Sequence, residues 1–151
     1  MSRKNRFKDA KDKREPGGFV SLPYVVIRSV AFARLTPYAV KLLADLLAQY
    51  KGHNNGDLCA TGSVMQKRGW RSNATLRKAR DELLRLDWIE IARQGGRHRP
   101  TLYAVTFIAV DDCKGKLDIG ATHSPRGAWR RHEPAPVILL VQNKNLGRHA
   151  A

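Results

Sequence analysis

The sequence predicts a mixed α+β fold, with three helices, one short strand and a β-hairpin in a single core between two basic tails. Two stretches carry apolar residues at helical spacing, one behind Thr36-Pro37 and one behind Ser72. Two later stretches, 88–93 and 101–107, are alternating or β-branched, which is typical of strands. The predicted order is helix, short strand, helix, turn, helix, strand, basic loop, strand.

Length and charge narrow the class of protein. At 151 residues the chain fits one domain with tails. Its 28 Lys and Arg against 13 Asp and Glu give a formal net charge of +15, which attracts polyanions, nucleic acid first and an anionic membrane surface second. No apolar run could span a bilayer. Of the two polyanions we expect nucleic acid, and no membrane partner. The start Met-Ser-Arg-Lys does not resemble a signal peptide, so we expect a cytoplasmic, nucleoid-associated protein.

The first predicted helix begins with Thr36 as N-cap and Pro37 at the first helical position. Lys41 and Asp45 are expected to pair on its outer face. The spacing i, i+3, i+4, i+7, i+8 and i+11 marks one buried stripe. The stripe consists of Ala39, Leu42, Leu43, Leu46, Leu47 and Tyr50.

The second predicted helix is short and follows a strand at Leu58–Ala60. Thr61 or Ser63 caps it, and Ser63 with Gln66 would form a capping box. The helix runs through Arg68 and ends at Gly69, which suits the left-handed conformation of a helix C-terminus. Trp70 and Arg71 then form the turn.

The third predicted helix is capped by Ser72 and buries the stripe Leu76, Ala79, Leu83 and Leu86. Its outer face is polar, as an element that enters a DNA groove requires. Asn73 can read adenine, and Arg77 and Lys78 can reach guanine or phosphates. The DNA-reading residues predicted here are Arg71, Ser72, Asn73, Thr75, Arg77 and Lys78. The alternative is an ordinary solvated helix face.

The hairpin adds a second basic feature. A Gly95-Gly96 turn is expected to reverse the chain between the two strands, which puts basic side chains at the tip. Such side chains suit a narrow, electronegative minor groove, whereas the alternative is a turn whose charges only aid solubility. The predicted contacts are Arg93, Arg97, His98 and Arg99 in the hairpin, with Lys67, Arg68, Arg3, Lys4 and Arg6 on phosphates.

The stretch 20–110 resembles the winged helix-turn-helix family. The residues that carry the resemblance are the strand Leu58–Ala60, the helix pair around Gly69-Trp70 and the hairpin that follows Leu86-Asp87-Trp88-Ile89. More narrowly, the stretch 50–103 resembles small helix-turn-helix proteins of plasmids, phages and integrative elements, including replication-initiator domains. The resemblance implies sequence-specific binding of double-stranded DNA by a transcriptional regulator or a replication or partition factor of a bacterial mobile element.

Paired half-sites favour a homodimer, with the first helix and a C-terminal strand as the expected dimer surfaces. We place a disordered basic arm at 1–18, the DNA-binding domain at 19–112 and a basic tail at 113–151. Within that tail, 137–141 is either a strand that adds to a sheet or second protomer, or part of a disordered tail. Trp129 either stacks on bases or caps the domain.

Catalysis is not expected. The five His are scattered without metal-ligand spacing, and the sequence contains no phosphate-binding loop and no nucleophile elbow. No carboxylates are paired on a concave site, because the adjacent Asp111 and Asp112 on a strand end would point to opposite faces. Cys59 and Cys113 lack zinc-site spacing and are expected to be reduced. We therefore predict no cofactor, metal or small-molecule substrate. Two other functions stay open: an RNA-binding or ribosome-associated protein, and a protein–protein interaction module on the winged-helix scaffold.

Overall fold

The computed structural model describes residues 13–135, which form a mixed α+β fold as predicted. Five α-helices and a three-stranded antiparallel sheet make up this part of the chain. The elements in chain order are α1 (Tyr24–Ile27), α2 (Val30–Ala33), α3 (Pro37–Leu47), β1 (Leu58–Cys59), α4 (Gly62–Gln66), α5 (Asn73–Arg85), β2 (Ile89–Arg93) and β3 (Leu102–Val105). Two 3-10 helices follow, at Cys113–Gly115 and Ala128–His132. Within these residues, no helix is long and apolar enough to cross a membrane.

Helix α3 forms as its sequence predicts. Thr36 caps it, since its side chain accepts a hydrogen bond from the backbone N–H of Ala39, and Pro37 occupies the first position. Five residues of the predicted stripe are buried along the helix, Ala39, Leu42, Leu43, Leu46 and Leu47, whereas Tyr50 lies beyond the end of the helix and is partly buried. The expectation that Asp45 lies on the outer face is wrong, because Asp45 is only 4% exposed. It is buried against the turn between α4 and α5, which supplies donors for its carboxylate.

Helix α4 differs in its boundaries from the prediction. It begins at Gly62 behind Thr61, so Ser63 lies inside the helix and the expected capping box is wrong. The helix ends at Gln66, short of the predicted Arg68. Gly69 follows with φ of 85°, so the predicted left-handed glycine is confirmed. The chain therefore turns sharply into the next helix.

Helix α5 confirms the predicted division of its faces. The Ser72 hydroxyl accepts a 3.2 Å hydrogen bond from the backbone N–H of Thr75 and caps the helix. Leu76, Ala79 and Leu83 are buried in the core, while Leu86 is partly buried against it. The outer face of the first turns stays exposed, as the next subsection describes.

The sheet has the order β1-β3-β2, so the last strand lies in the centre. Leu58 pairs with Tyr103 across β1 and β3, and Ile89 pairs with Val105 across β2 and β3. The register shifts between Ile91 and Arg93, which indicates a bulge. All three strands are shorter than predicted from the sequence.

The turn between β1 and α3 is anchored by Asn55, a contribution that the sequence analysis missed. Asn55 is fully buried. Its amide nitrogen donates to the backbone carbonyl of Val105, the last residue of β3, and to those of Ile108 and Ala109, which follow the strand. Its side-chain oxygen accepts a 2.8 Å hydrogen bond from the N–H of Val105. One side chain thus replaces sheet hydrogen bonds where the central strand ends.

Residues 113–135, expected in a tail, pack onto the domain. Trp129 is buried and stacks on Trp88 with ring centroids 5.2 Å apart and planes at 13°, so it caps the domain. The Glu133 carboxylate accepts hydrogen bonds from the N–H groups of Val30 and Ala31 at the start of α2. The domain boundary expected at 112 is therefore wrong, because aromatic burial and helix capping hold this segment in place. The expected strand 137–141 lies outside the described residues.

Candidate nucleic-acid interface

The N-terminal half of α5 presents an exposed polar surface. Ser72, Asn73, Arg77 and Lys78 are exposed, and Thr75 is half-buried beneath them. Arg71 is also exposed in the preceding turn. Among residues 13–135, Arg71, Arg77 and Lys78 have no ion-pair partner. Their positive charge is thus available to an anionic ligand, and the six predicted reading residues all belong to the segment 71–78.

A buried carboxylate holds the turn that leads into α5. Asp45 on α3 accepts a 2.7 Å hydrogen bond from the indole Nε1 of Trp70 and a 3.0 Å hydrogen bond from Nε of Arg68. The Lys41 ammonium donates to the same carboxylate and to the backbone carbonyl of Arg68. The carboxylate therefore fixes the orientation of α4 and of the turn relative to α3.

These contacts also set the protonation of Asp45. Burial acts to raise the pKa of its carboxyl, but hydrogen bonds from Lys41, Trp70 and Arg68 and the Lys41 charge outweigh burial, so the pKa is lowered. Arg68, predicted to contact phosphate, is engaged by Asp45 through Nε while about half of its side chain stays exposed. Lys67 at the end of α4 is exposed.

The hairpin reverses at Arg97 and His98, within a turn closed by backbone hydrogen bonds between Gly96 and Arg99. The expectation that the Gly95-Gly96 pair makes the reversal is wrong. A Cβ on Gly95 would lie 2.5 Å from the backbone nitrogen of Thr101, so Gly95 is instead the point where the two chain segments touch. The absence of a side chain permits this contact.

The four predicted hairpin contacts fall into two groups. Arg97 and His98 are exposed at the turn. Arg93 and Arg99 instead donate to the backbone carbonyls of Pro100 and Gln94, at 3.2 and 3.4 Å, so their guanidinium groups lie back on the loop. Arg97 and His98 are therefore more accessible to a ligand than the guanidinium groups of Arg93 and Arg99.

A cavity of about 320 Å³ lies where α4, α5 and β3 meet. Its lining combines the predicted residues Asn73 and Arg77 with residues that the sequence analysis did not select. The added lining residues are Ala60, Thr61, Gly62, Leu76, Arg80, Thr101 and Tyr103. Arg80 could have been selected from its spacing, because it lies three residues after Arg77 on the same helix face. The others come from separate segments and carry no such signal.

Arg3, Lys4 and Arg6 lie outside the described residues. Among residues 13–135, no group of His, Cys, Asp or Glu could hold a metal ion. Cys59 and Cys113 are free thiols, and burial raises the pKa of Cys113.

No protein-family model matches the chain, and comparison with curated proteins and with solved structures gave no significant match.

Proposed function

We propose that this chain is a winged helix-turn-helix protein that binds double-stranded DNA with sequence preference. In this proposal α4 and α5 form the helix-turn-helix, α5 enters the major groove, and the hairpin of β2 and β3 is the wing. The order α3, β1, α4, α5, β2, β3 supports the assignment, as does the pairing of β1 with the far strand of the hairpin. The resemblance described above implies the same arrangement.

The observation that carries the proposal is the shared cavity. Asn73 and Arg77 from the first two turns of α5 line the same depression as Thr101, which directly follows the hairpin loop. Helix and hairpin thus border one concave surface, whereas basic residues that merely aid solubility have no need to converge. A duplex presents base edges and phosphates to adjoining parts of such a surface.

The distribution of positive charge also supports DNA binding. The exposed cations at the end of α4, in the following turn, on the first turns of α5 and at the hairpin tip are Lys67, Arg71, Arg77, Lys78, Arg97 and Arg99. Phosphate neutralisation by such groups releases counterions, so the affinity for a duplex should fall steeply with salt. Selection of duplexes from a randomised pool, followed by competition with single strands and structured RNA, tests the proposal. A preference for structured RNA or the absence of any enriched duplex would contradict it.

The proposed cellular role is that of a transcriptional regulator or a replication or partition factor of a mobile element, acting as a homodimer on paired half-sites. In the described residues the apolar stripe of α3 is used inside the domain. Exposed apolar side chains concentrate instead between 19 and 30, where Phe19, Tyr24 and Val25 are the most exposed. Enriched duplexes with inverted repeats, and the mass of their complexes, test the dimer.

A further inference from the structure

We propose that the cavity between α4, α5 and β3 seats one phosphate group, supplied by the backbone of a bound duplex. The inference rests on the proposed function and adds a defined anchoring point to it. From the sequence, phosphate contacts are expected at Lys67 and Arg68, and Arg77 is expected to reach guanine or phosphates, whereas a single phosphate seat formed by this cavity is visible only in the structure.

The volume suits a small, hydrated anion. About 320 Å³ is at the low end of the range for ligand sites and leaves room for a phosphate group with its ester links and bridging waters. Only one of the lining residues, Leu76, is a large aliphatic residue. A flat apolar ligand would therefore find few partners there, while an anion would find several donors.

The charge of the lining is positive. Arg77 and Arg80 both contribute to it, and no carboxylate is among the described residues that line the cavity. Asp81 accepts hydrogen bonds from Nε and Nη2 of Arg80, and the same guanidinium interacts with the Tyr103 hydroxyl, so these two side chains hold the cation at the cavity. Guanidinium groups and phosphate oxygens match in geometry and form charge-assisted hydrogen bonds.

Hydroxyl and amide groups complete the set of donors. Tyr103 is almost fully buried, and burial raises the pKa of its hydroxyl, an effect that the nearby Arg80 guanidinium partly offsets. The hydroxyl therefore stays protonated near neutral pH and can donate. Thr61 and Thr101 add two further hydroxyls to the lining.

Gly62 keeps Asn73 at the edge of the cavity. A Cβ on Gly62 would lie 2.9 Å from Oδ1 of Asn73, so the side chain of Asn73 lies directly over the first residue of α4. This placement brings the amide of Asn73 beside the same cavity as Arg77. A phosphate seated there would lie next to the residues proposed to read bases, which fixes the register of α5 on the duplex.

The test is a double-mutant cycle in which a protein variant is combined with a duplex that carries one neutral methylphosphonate link in place of a phosphate. Each phosphate of a selected duplex is replaced in turn, and the affinity of each substituted duplex for the full chain is measured. At the position that contacts the cavity, wild type should lose about ten-fold in affinity, and Arg80→Met should show no further loss there. The variant should also lower the log–log salt slope by about 0.9.

Two variants serve as controls. Arg85→Met removes an exposed cation from the last turn of α5, five residues beyond Arg80, and should remain additive with every methylphosphonate. Tyr103→Phe keeps the ring in the sheet and removes only the hydroxyl, so it tests the cavity even if Arg80→Met fails to fold. Tyr103→Phe should lower the affinity for the unmodified duplex several-fold and leave the affinity for the substituted duplex unchanged.

The outcomes separate the two proposals. If no duplex is enriched at all, the proposed function fails before the cycle is run. If duplexes bind but both Arg80→Met and Tyr103→Phe are additive with every methylphosphonate, the phosphate seat is overturned. A shift of the Arg80 side-chain NMR signals by millimolar inorganic phosphate, without coupling to any backbone position, would overturn the assignment to the duplex and leave a free phosphate as the ligand.

Discussion

Asp45 and Trp70 are joined by a 2.7 Å hydrogen bond from the indole Nε1 to Oδ2, between the middle of α3 and the turn that precedes α5. The same carboxylate pairs with Lys41 and Arg68. Because the turn sets the angle of α5, this buried carboxylate positions the surface proposed to read DNA. Its state of protonation should therefore affect both the stability of the domain and its interface.

Asp45→Asn should lower the free energy of unfolding by about 1–3 kcal/mol near neutral pH. The expected loss is below that for a fully buried pair, because Lys41 and Arg68 are each about half exposed. The folded-state pKa of Asp45 is lowered, so its contribution is present above the ordinary value of 3.8 and is lost as the pH falls through the folded-state pKa.

Chemical denaturation between pH 2 and pH 7 measures this difference, with ~0.5-unit steps giving adequate sampling of the titration. The gap between wild type and Asp45→Asn should close at the acid end. Asp81→Asn is the control, since Asp81 is exposed and within residues 13–135 pairs only with its neighbour Arg80. A gap that stays constant with pH would mean that the charge of Asp45 contributes nothing.

Asn55→Ala should be among the most destabilising single substitutions in the chain. It leaves the Val105 N–H and the carbonyls of Val105, Ile108 and Ala109 without their partner. Each buried group left unpaired costs roughly 1–3 kcal/mol, so the total should exceed about 3 kcal/mol. His53→Ala, at an exposed position of the same turn, should change stability by less than about 0.5 kcal/mol. Thermal and urea unfolding of both variants decide the point.

Trp129→Ala should destabilise the domain by about 3–5 kcal/mol, because it leaves a cavity against Trp88 and removes a stacked pair. Trp129→Phe should recover part of the loss. A chain that ends at residue 112 should melt at a lower temperature for the same reason, and its near-UV circular dichroism should change. If that truncated chain kept the melting temperature of the full chain, residues 113–135 would be a dispensable tail.

Arg77→Ala should weaken binding to a selected duplex by about 1–3 kcal/mol and relax its sequence preference, if Arg77 contacts base edges. The fold should be unaffected, because Arg77 is exposed and has no ion-pair partner among the described residues. Arg85→Ala on the last turn of α5 is the matched control. Fluorescence anisotropy on selected and random duplexes separates the cases: equal losses on both would make Arg77 a phosphate contact.

Arg97→Ala should reduce affinity more than Arg99→Ala on duplexes with A·T-rich flanks. Arg97 is exposed at the turn, whereas the Arg99 guanidinium donates to the Gln94 carbonyl. A narrow minor groove attracts the more accessible cation. Both variants carry the same charge change, so each serves as the control for the other. Equal effects on A·T-rich and G·C-rich flanks would remove the minor groove from the proposed role of the hairpin.

Local patterns in the sequence determined α3 and the two faces of α5. Thr36-Pro37 and Ser72 act on backbone groups within one turn, and apolar spacing depends only on helix geometry, so both can be read without knowledge of neighbours. The exposed arginines of the candidate interface followed from the same periodicity. Gly69 was predicted for the equivalent reason, since its positive φ is a property of one residue.

The tertiary structure alone decided which polar groups are buried and what the ends of the domain do. Asp45 has the spacing of a surface residue, yet donors from a turn more than twenty residues later enclose it. Trp129 completes the core by stacking on Trp88, Glu133 caps α2 from 103 residues away, and Thr61, Arg80 and Tyr103 meet in one cavity. Such contacts depend on through-space pairing after the chain has folded, and no local period encodes the partner of a side chain.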